Sequence, residues 1–95
     1  MNILIVGAGK VGSTWAAYLS REDHNVTIID QIDTAIHRAS DTLDVMCIKG
    51  PGAAPSVLRE AGVEDADLVL ATTNLDEVNM LCALTAKRLG AKFTI

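Results

Sequence analysis

The sequence predicts an α/β fold: an open, doubly wound parallel sheet of strand order 3-2-1-4-5 with helices on both faces, three layers in all. Three observations predict it. Short apolar runs alternate with amphipathic stretches along the 95 residues, as expected when each parallel crossover carries a helix. A hydrophobic content of 49% against 21% charged residues supplies apolar surface for both sides of a sheet. The length suits one core and not two.

The elements follow in order. Ile3 to Val6 is a continuous apolar run stopped by Gly7, the signature of a strand buried on both faces. Val11, Trp15 and Leu19 recur at i, i+4 and i+8 and predict a helix from about Lys10 to Ser20 whose stripe faces the sheet. Asn25 to Ile29, bounded by Arg21-Glu22-Asp23 and Asp30, is the second strand. Asp33 is the expected N-cap of a second helix with Ile36 and Ala39 inward. Val45 to Ile48 forms the third strand, closed by Gly50-Pro51-Gly52. Pro55 suits the first turn of a third helix, which carries Val57, Leu58 and Ala61 and stops at Gly62. Leu68 to Ala71 is the fourth strand, Leu75 to Leu89 a longer helix ended by Gly90, and Phe93-Thr94-Ile95 opens the fifth strand.

Composition excludes several classes of function. A net charge of -4 with no Lys/Arg cluster argues against nucleic acid as a partner. Cys47 and Cys82 belong to no CxxC pair and read as small apolar residues, reduced in a cytosolic compartment. No apolar run approaches the roughly 20 residues that span a bilayer. No basic stretch precedes Ile3, so the opening residues read as a strand and not an export signal. His24 and His37 have no partnered carboxylate, and Asp65 and Asp67 read as a solvated turn, which leaves no catalytic candidate and no metal site.

The chemistry concentrates at the first turn. Gly7-Ala8-Gly9-Lys10-Val11-Gly12 is a G-x-G-x-x-G placed after a strand and before a helix, the context in which such a turn cradles a diphosphate. Gly7 permits the tight turn, Gly9 leaves room for the pyrophosphate against the backbone, and Gly12 lets the helix pack close. The free N–H groups of that helix face the phosphates, and Lys10 stands at the rim. Asp30, with Gln31 beside it, lies eighteen positions after Gly12, close to the spacing of about 20 at which an acid meets the adenosine ribose. A 2′-phosphate there would meet like charge, so NAD(H) is favoured over NADP(H), with ATP, ADP or AMP as alternatives. Gly50 follows the third strand. Thr72, Thr73 and Asn74 follow the fourth strand across the crevice and stand where they would reach the far half of a dinucleotide. Asn74 with Glu77 also has the form of a capping box.

These residues resemble a known family, the TrkA N-terminal (RCK/KTN) domain of bacterial potassium-uptake regulators. The likeness rests on Met1 to Gly12, Val26-Thr27-Ile28-Ile29-Asp30, Leu58-Arg59-Glu60-Ala61-Gly62 with Ala66-Asp67, and Thr73-Asn74-Leu75-Asp76-Glu77-Val78-Asn79-Met80. It implies a Rossmann-like domain that performs no chemistry. Such a domain binds NAD(H) or ATP/ADP and passes its state to a membrane-embedded potassium channel or transporter. By that likeness the subunit is cytoplasmic and peripheral on the inner face of the plasma membrane through its partner. Gly7, Gly9, Lys10 and Gly12 would hold phosphates, Asp30 the ribose, and Thr73 and Asn74 the far side of the ligand. Where the family carries Gly-Asp or Gly-Asn near the adenine, this chain has Gly50-Pro51-Gly52-Ala53.

The chain stops inside the fifth strand, so residues 1–95 are expected to form a single nucleotide-binding domain cut short there. The amino-terminal half of an NAD-dependent oxidoreductase is the alternative reading. The edge of the fifth strand and the apolar residues Val78, Leu81 and Leu84 predict self-association as a homo-oligomer.

Overall fold

The computed structural model describes residues 1–95. Its sheet has five parallel strands in the order β3-β2-β1-β4-β5, as the alternation of elements predicts. The strands are β1 (Asn2–Val6), β2 (Asn25–Asp30), β3 (Met46–Lys49), β4 (Leu68–Ala71) and β5 (Phe93–Thr94), and the helices α1 (Lys10–Arg21), α2 (Asp33–Thr42), α3 (Pro55–Glu60) and α4 (Asp76–Arg88) connect them. A single 3-10 turn, Val63–Asp65, precedes β4 and has no periodic signature in the sequence. No helix is long and apolar enough to cross a membrane.

Alternation along β1 divides the core in two. Leu4 and Val6 join Leu58 of α3 and Cys82 and Ala86 of α4 on one face, while Ile3 and Ile5 join Ala16 of α1 and Ala35 and Ala39 of α2 on the other. Ile3 to Val6 are therefore all buried, because neighbouring side chains enter opposite layers. Three helix ends obey their sequence signals: Pro55 opens α3, and Gly62 and Gly90 adopt positive φ of 86° and 118° after α3 and α4.

Three expectations are corrected. The stripe of α1 that meets the sheet is Gly12, Ala16 and Leu19, whereas Val11 and Trp15 are about half exposed. Helix α1 lies so close to the β1 end that only small side chains fit beneath it, and the larger ones turn outward. Asp33 is the first residue of α2 and not its cap. The preceding amide, Ile32 N–H, is instead held at 2.8 Å by the Asp30 carboxylate, and Asp33 pairs with Lys49 at 3.4 Å. Asp67 does not sit in a free turn, since it accepts the Asn2 N–H at 2.8 Å and meets Lys92 at 3.2 Å, tying the starts of β1, β4 and β5 together.

Candidate functional site

The carboxyl ends of β1 and β4 diverge because the chain turns to opposite sides of the sheet after them, and a cleft of about 470 Å³ opens there. Gly7, Gly9, Lys10 and Val11 form one wall, Asp30, Gln31 and Gly50 the rim beyond β2 and β3, and Thr72, Thr73 and Asn74 the opposite lip. The fold thus brings ten of the twelve singled-out positions to one cleft. Ala8 and Gly12 are not among its lining residues; they are buried behind it and shape the turn from within.

The turn is fixed from three directions. Gly7 N–H donates to the Ile29 carbonyl at 2.7 Å, and Ala8 N–H donates to the Asp30 carboxylate at 2.7 Å. From the other side the Thr72 hydroxyl donates to the Val6 carbonyl at 3.0 Å and approaches the Gly7 carbonyl at 3.3 Å, while Thr72 N–H donates to Val6 at 2.8 Å. Gly7 takes φ 111°, which a side chain rarely adopts. A Cβ on Gly12 would lie 1.8 Å from the Gly7 carbonyl oxygen, whereas a Cβ on Gly9 would meet no heavy atom within 4 Å. Gly12 is thus required by the fold. Packing places no such demand on Gly9, which stands on the cleft wall.

Charge is distributed unevenly around the cleft. Helix α1 has no side-chain cap and no acidic residue in its first turn, and the amides of Lys10, Val11 and Gly12 have no backbone acceptor. They leave partial positive charge at the glycine turn. Helix α2 begins with Asp33 and α4 with Asp76 and Glu77. An anionic group is therefore favoured at α1 and opposed at the other two ends.

Six further residues of the cleft are not among the singled-out positions. Val6, Ile29, Ile32, Gly52, Leu75 and Val78 complete the lining. Gly52 is one that a packing argument could have found only with coordinates: its Cβ would stand 2.1 Å from Val6 Cγ1. The expected Asn74–Glu77 capping box is absent. Leu75 is the N-cap of α4 without a side-chain bond, and the loop is held instead by Asn79, which bonds to Thr73. Asn79 lies in the Thr73–Met80 stretch that carries the resemblance, but nothing in its spacing points to a bond with Thr73.

Outside the cleft, burial pushes the Cys82 thiol up to about 11 and raises that of Cys47 as well. The Asn2 amide, with Lys92 beside it, holds the Asp67 carboxyl below its ordinary value.

Known proteins resemble this chain. The family described as the TrkA-N domain matches residues 3–95. The chain is 44% identical over 89 residues to the Trk system potassium uptake protein TrkA of Halomonas elongata, covering 94% of this chain and 20% of that protein. Among solved structures, the Kef CTD of Shewanella denitrificans in its AMP-bound form superposes with a TM-score of 0.83 at 20% identity, covering all of this chain and 57% of that one. The GsuK channel bound to NAD gives 0.81 at 20% identity, over 94% of this chain and 16% of that one. At such identity the two structures show a common fold. The chain spans about a fifth of the length of the curated relatives it matches.

Proposed function

The chain belongs to the TrkA-N domain family, and from that premise we propose that it is a regulatory nucleotide-binding domain of a potassium-uptake system. The carrying observation is the unsatisfied, acid-free amino end of α1 set against a glycine turn whose walls are already fixed. A diphosphate placed there meets backbone donors and the Lys10 ammonium, with no acid in that first turn to repel it.

In this reading Gly7, Gly9, Lys10 and Val11 face the phosphates, Ala8 and Gly12 maintain the turn, and Asp30 and Gln31 stand at the ribose. Gly50 lies toward the base, and Thr72, Thr73 and Asn74 form the far lip. Each Asp30 oxygen accepts one backbone amide and keeps lone-pair capacity for a ribose hydroxyl. NAD(H) is the preferred ligand, with ATP, ADP or AMP as the alternative. Both choices are supported by the NAD and AMP that the two similar structures carry. The domain performs no chemistry. It shifts a potassium transporter or channel at the inner membrane face by binding two states of the assembly unequally.

Calorimetry against NADH, NAD, ATP and ADP tests the reading, with Asp30→Ala as the control. Binding without turnover, weakened about ten-fold to a hundred-fold by that substitution, is the expected result. No binding of any of the four, or hydride transfer to a substrate, defeats it. Self-association through the exposed Leu81 and Leu84 of α4 belongs to the same proposal, with the exposed Met80 beside them in place of the expected Val78, which is half-buried in the cleft lining. Sedimentation showing only monomer at high concentration removes that part alone.

A further inference from the structure

The lip opposite the glycine turn is governed by a residue that is not part of the cleft lining. Asn79 sits one turn into α4, half-buried, with its carboxamide against Thr73. Its Oδ1 accepts the Thr73 N–H at 2.9 Å and the Thr73 hydroxyl at 2.6 Å, and its Nδ2 donates to the Thr73 carbonyl at 3.0 Å. Only one orientation of the amide serves a backbone donor and a backbone acceptor together, so these bonds fix the carboxamide itself. The Thr73 oxygen also receives the Leu75 N–H at 3.2 Å. Each polar group of Thr73 is thereby engaged inside the protein: its hydroxyl has acceptors in Asn79 Oδ1 at 2.6 Å and the Leu75 carbonyl at 3.2 Å, both belonging to the protein and not to a ligand.

Thr73 stands between Thr72, which is fastened to the β1 end, and Asn74, whose side chain makes no hydrogen bond within the protein and lines the cleft. Immobilising Thr73 therefore sets the position of Asn74 and of the first residues of α4. We propose that Asn79 is a positioning residue for the nucleotide cleft: by closing three hydrogen bonds on Thr73 it holds the far lip in the shape that receives the ligand, and it commits the Thr73 hydroxyl to that shape. The proposal rests on the nucleotide-binding reading above. A lip ordered before binding spares the ligand the entropic cost of ordering it, which is how a residue without ligand contact raises affinity.

The test is calorimetry of the full chain with NADH, NAD, ATP and ADP, comparing wild type with Asn79→Ala, Asn79→Asp and Thr73→Val. Asn79→Ala is expected to weaken binding by about ten-fold. Thr73→Val keeps both backbone bonds to Asn79 and should lose less. Asn79→Asp retains the acceptor but, when ionised, faces the Thr73 carbonyl with no proton to donate. Its affinity relative to wild type at the same pH should be poor near pH ~7.5 and recover only toward pH ~4, where an ordinary aspartate regains that proton. A buried α4 position remote from the lip, Ala86→Gly, supplies a loss of helix stability without loss of affinity in the folded protein. If wild type binds and Asn79→Ala binds equally well, or Thr73→Val is as damaging as Asn79→Ala, the positioning role is overturned and the nucleotide reading stands. If wild type binds none of NADH, NAD, ATP and ADP, both fall.

Discussion

Asp30 and Ala8, twenty-two positions apart, are joined by a 2.7 Å hydrogen bond from the Ala8 amide to one carboxylate oxygen, while the other oxygen holds the Ile32 amide at 2.8 Å. One side chain at the end of β2 thus shapes both the glycine turn and the entry to α2. The acid expected at the ribose is also a structural tie, and the two roles can be separated by measurement.

Asp30→Ala should lower stability as well as affinity, because it strips two amides of a charged acceptor. A loss of about 1.5–3 kcal/mol is expected, or roughly 6–24 °C in Tm for a domain of this size. Thermal unfolding without ligand checks it. An unchanged Tm would mean the two bonds add nothing to the fold.

Gly9 and Gly12 should respond to alanine in opposite ways. Gly9→Ala adds a methyl where nothing lies within 4 Å, at a φ of -76° that alanine accepts. Stability should hold or rise by about 0.4–1 kcal/mol, while nucleotide affinity drops at least ~10-fold as the methyl meets the phosphates. Gly12→Ala forces a Cβ into the Gly7 carbonyl and should cost about 1–3 kcal/mol or more. Paired melts and titrations distinguish them, and equal behaviour of the two variants would contradict the assignment.

The lowered carboxyl of Asp67 makes stability depend on acid. A group whose folded value lies below its ordinary 3.8 stabilises the native state above that pH, and the contribution is lost as the pH falls through the lowered value. Asp67→Asn removes this ionisation, so the stability gap between variant and wild type should narrow from neutral pH to about pH 3. Urea unfolding at both pH values measures it, and a constant gap would assign the effect elsewhere.

Cys82 behaves in the opposite sense. Its thiol is raised from 9.0 to about 11 by burial, so the native state is favoured below 9.0 and loses up to about 1.4 kcal/mol per pH unit as the unfolded thiol ionises above it. Thiol-reactive dye near pH ~8 should label Cys82 only on unfolding. Prompt labelling of native protein at this position would contradict its burial.

Much of this was legible in the sequence, for a physical reason. Periodicity marks where strands and helices run, and Gly7 to Gly12, Pro55, Gly62 and Gly90 act through backbone geometry within a few residues of themselves. The sheet order, the turn and ten cleft positions followed from such local rules. What needed the tertiary structure were relationships between distant segments. The choice of Gly12 and Ala16 over Val11 and Trp15 as the buried stripe depends on how near α1 lies to β1, and Gly52 is small because Val6 stands against it. The capture of Thr73 by Asn79 depends on where α4 begins relative to β4, and the bond of Asp30 to Ala8 exists only once two strands are side by side. Local sequence sets each element's own conformation. Distances between elements are set by packing, and packing selects which polar groups meet.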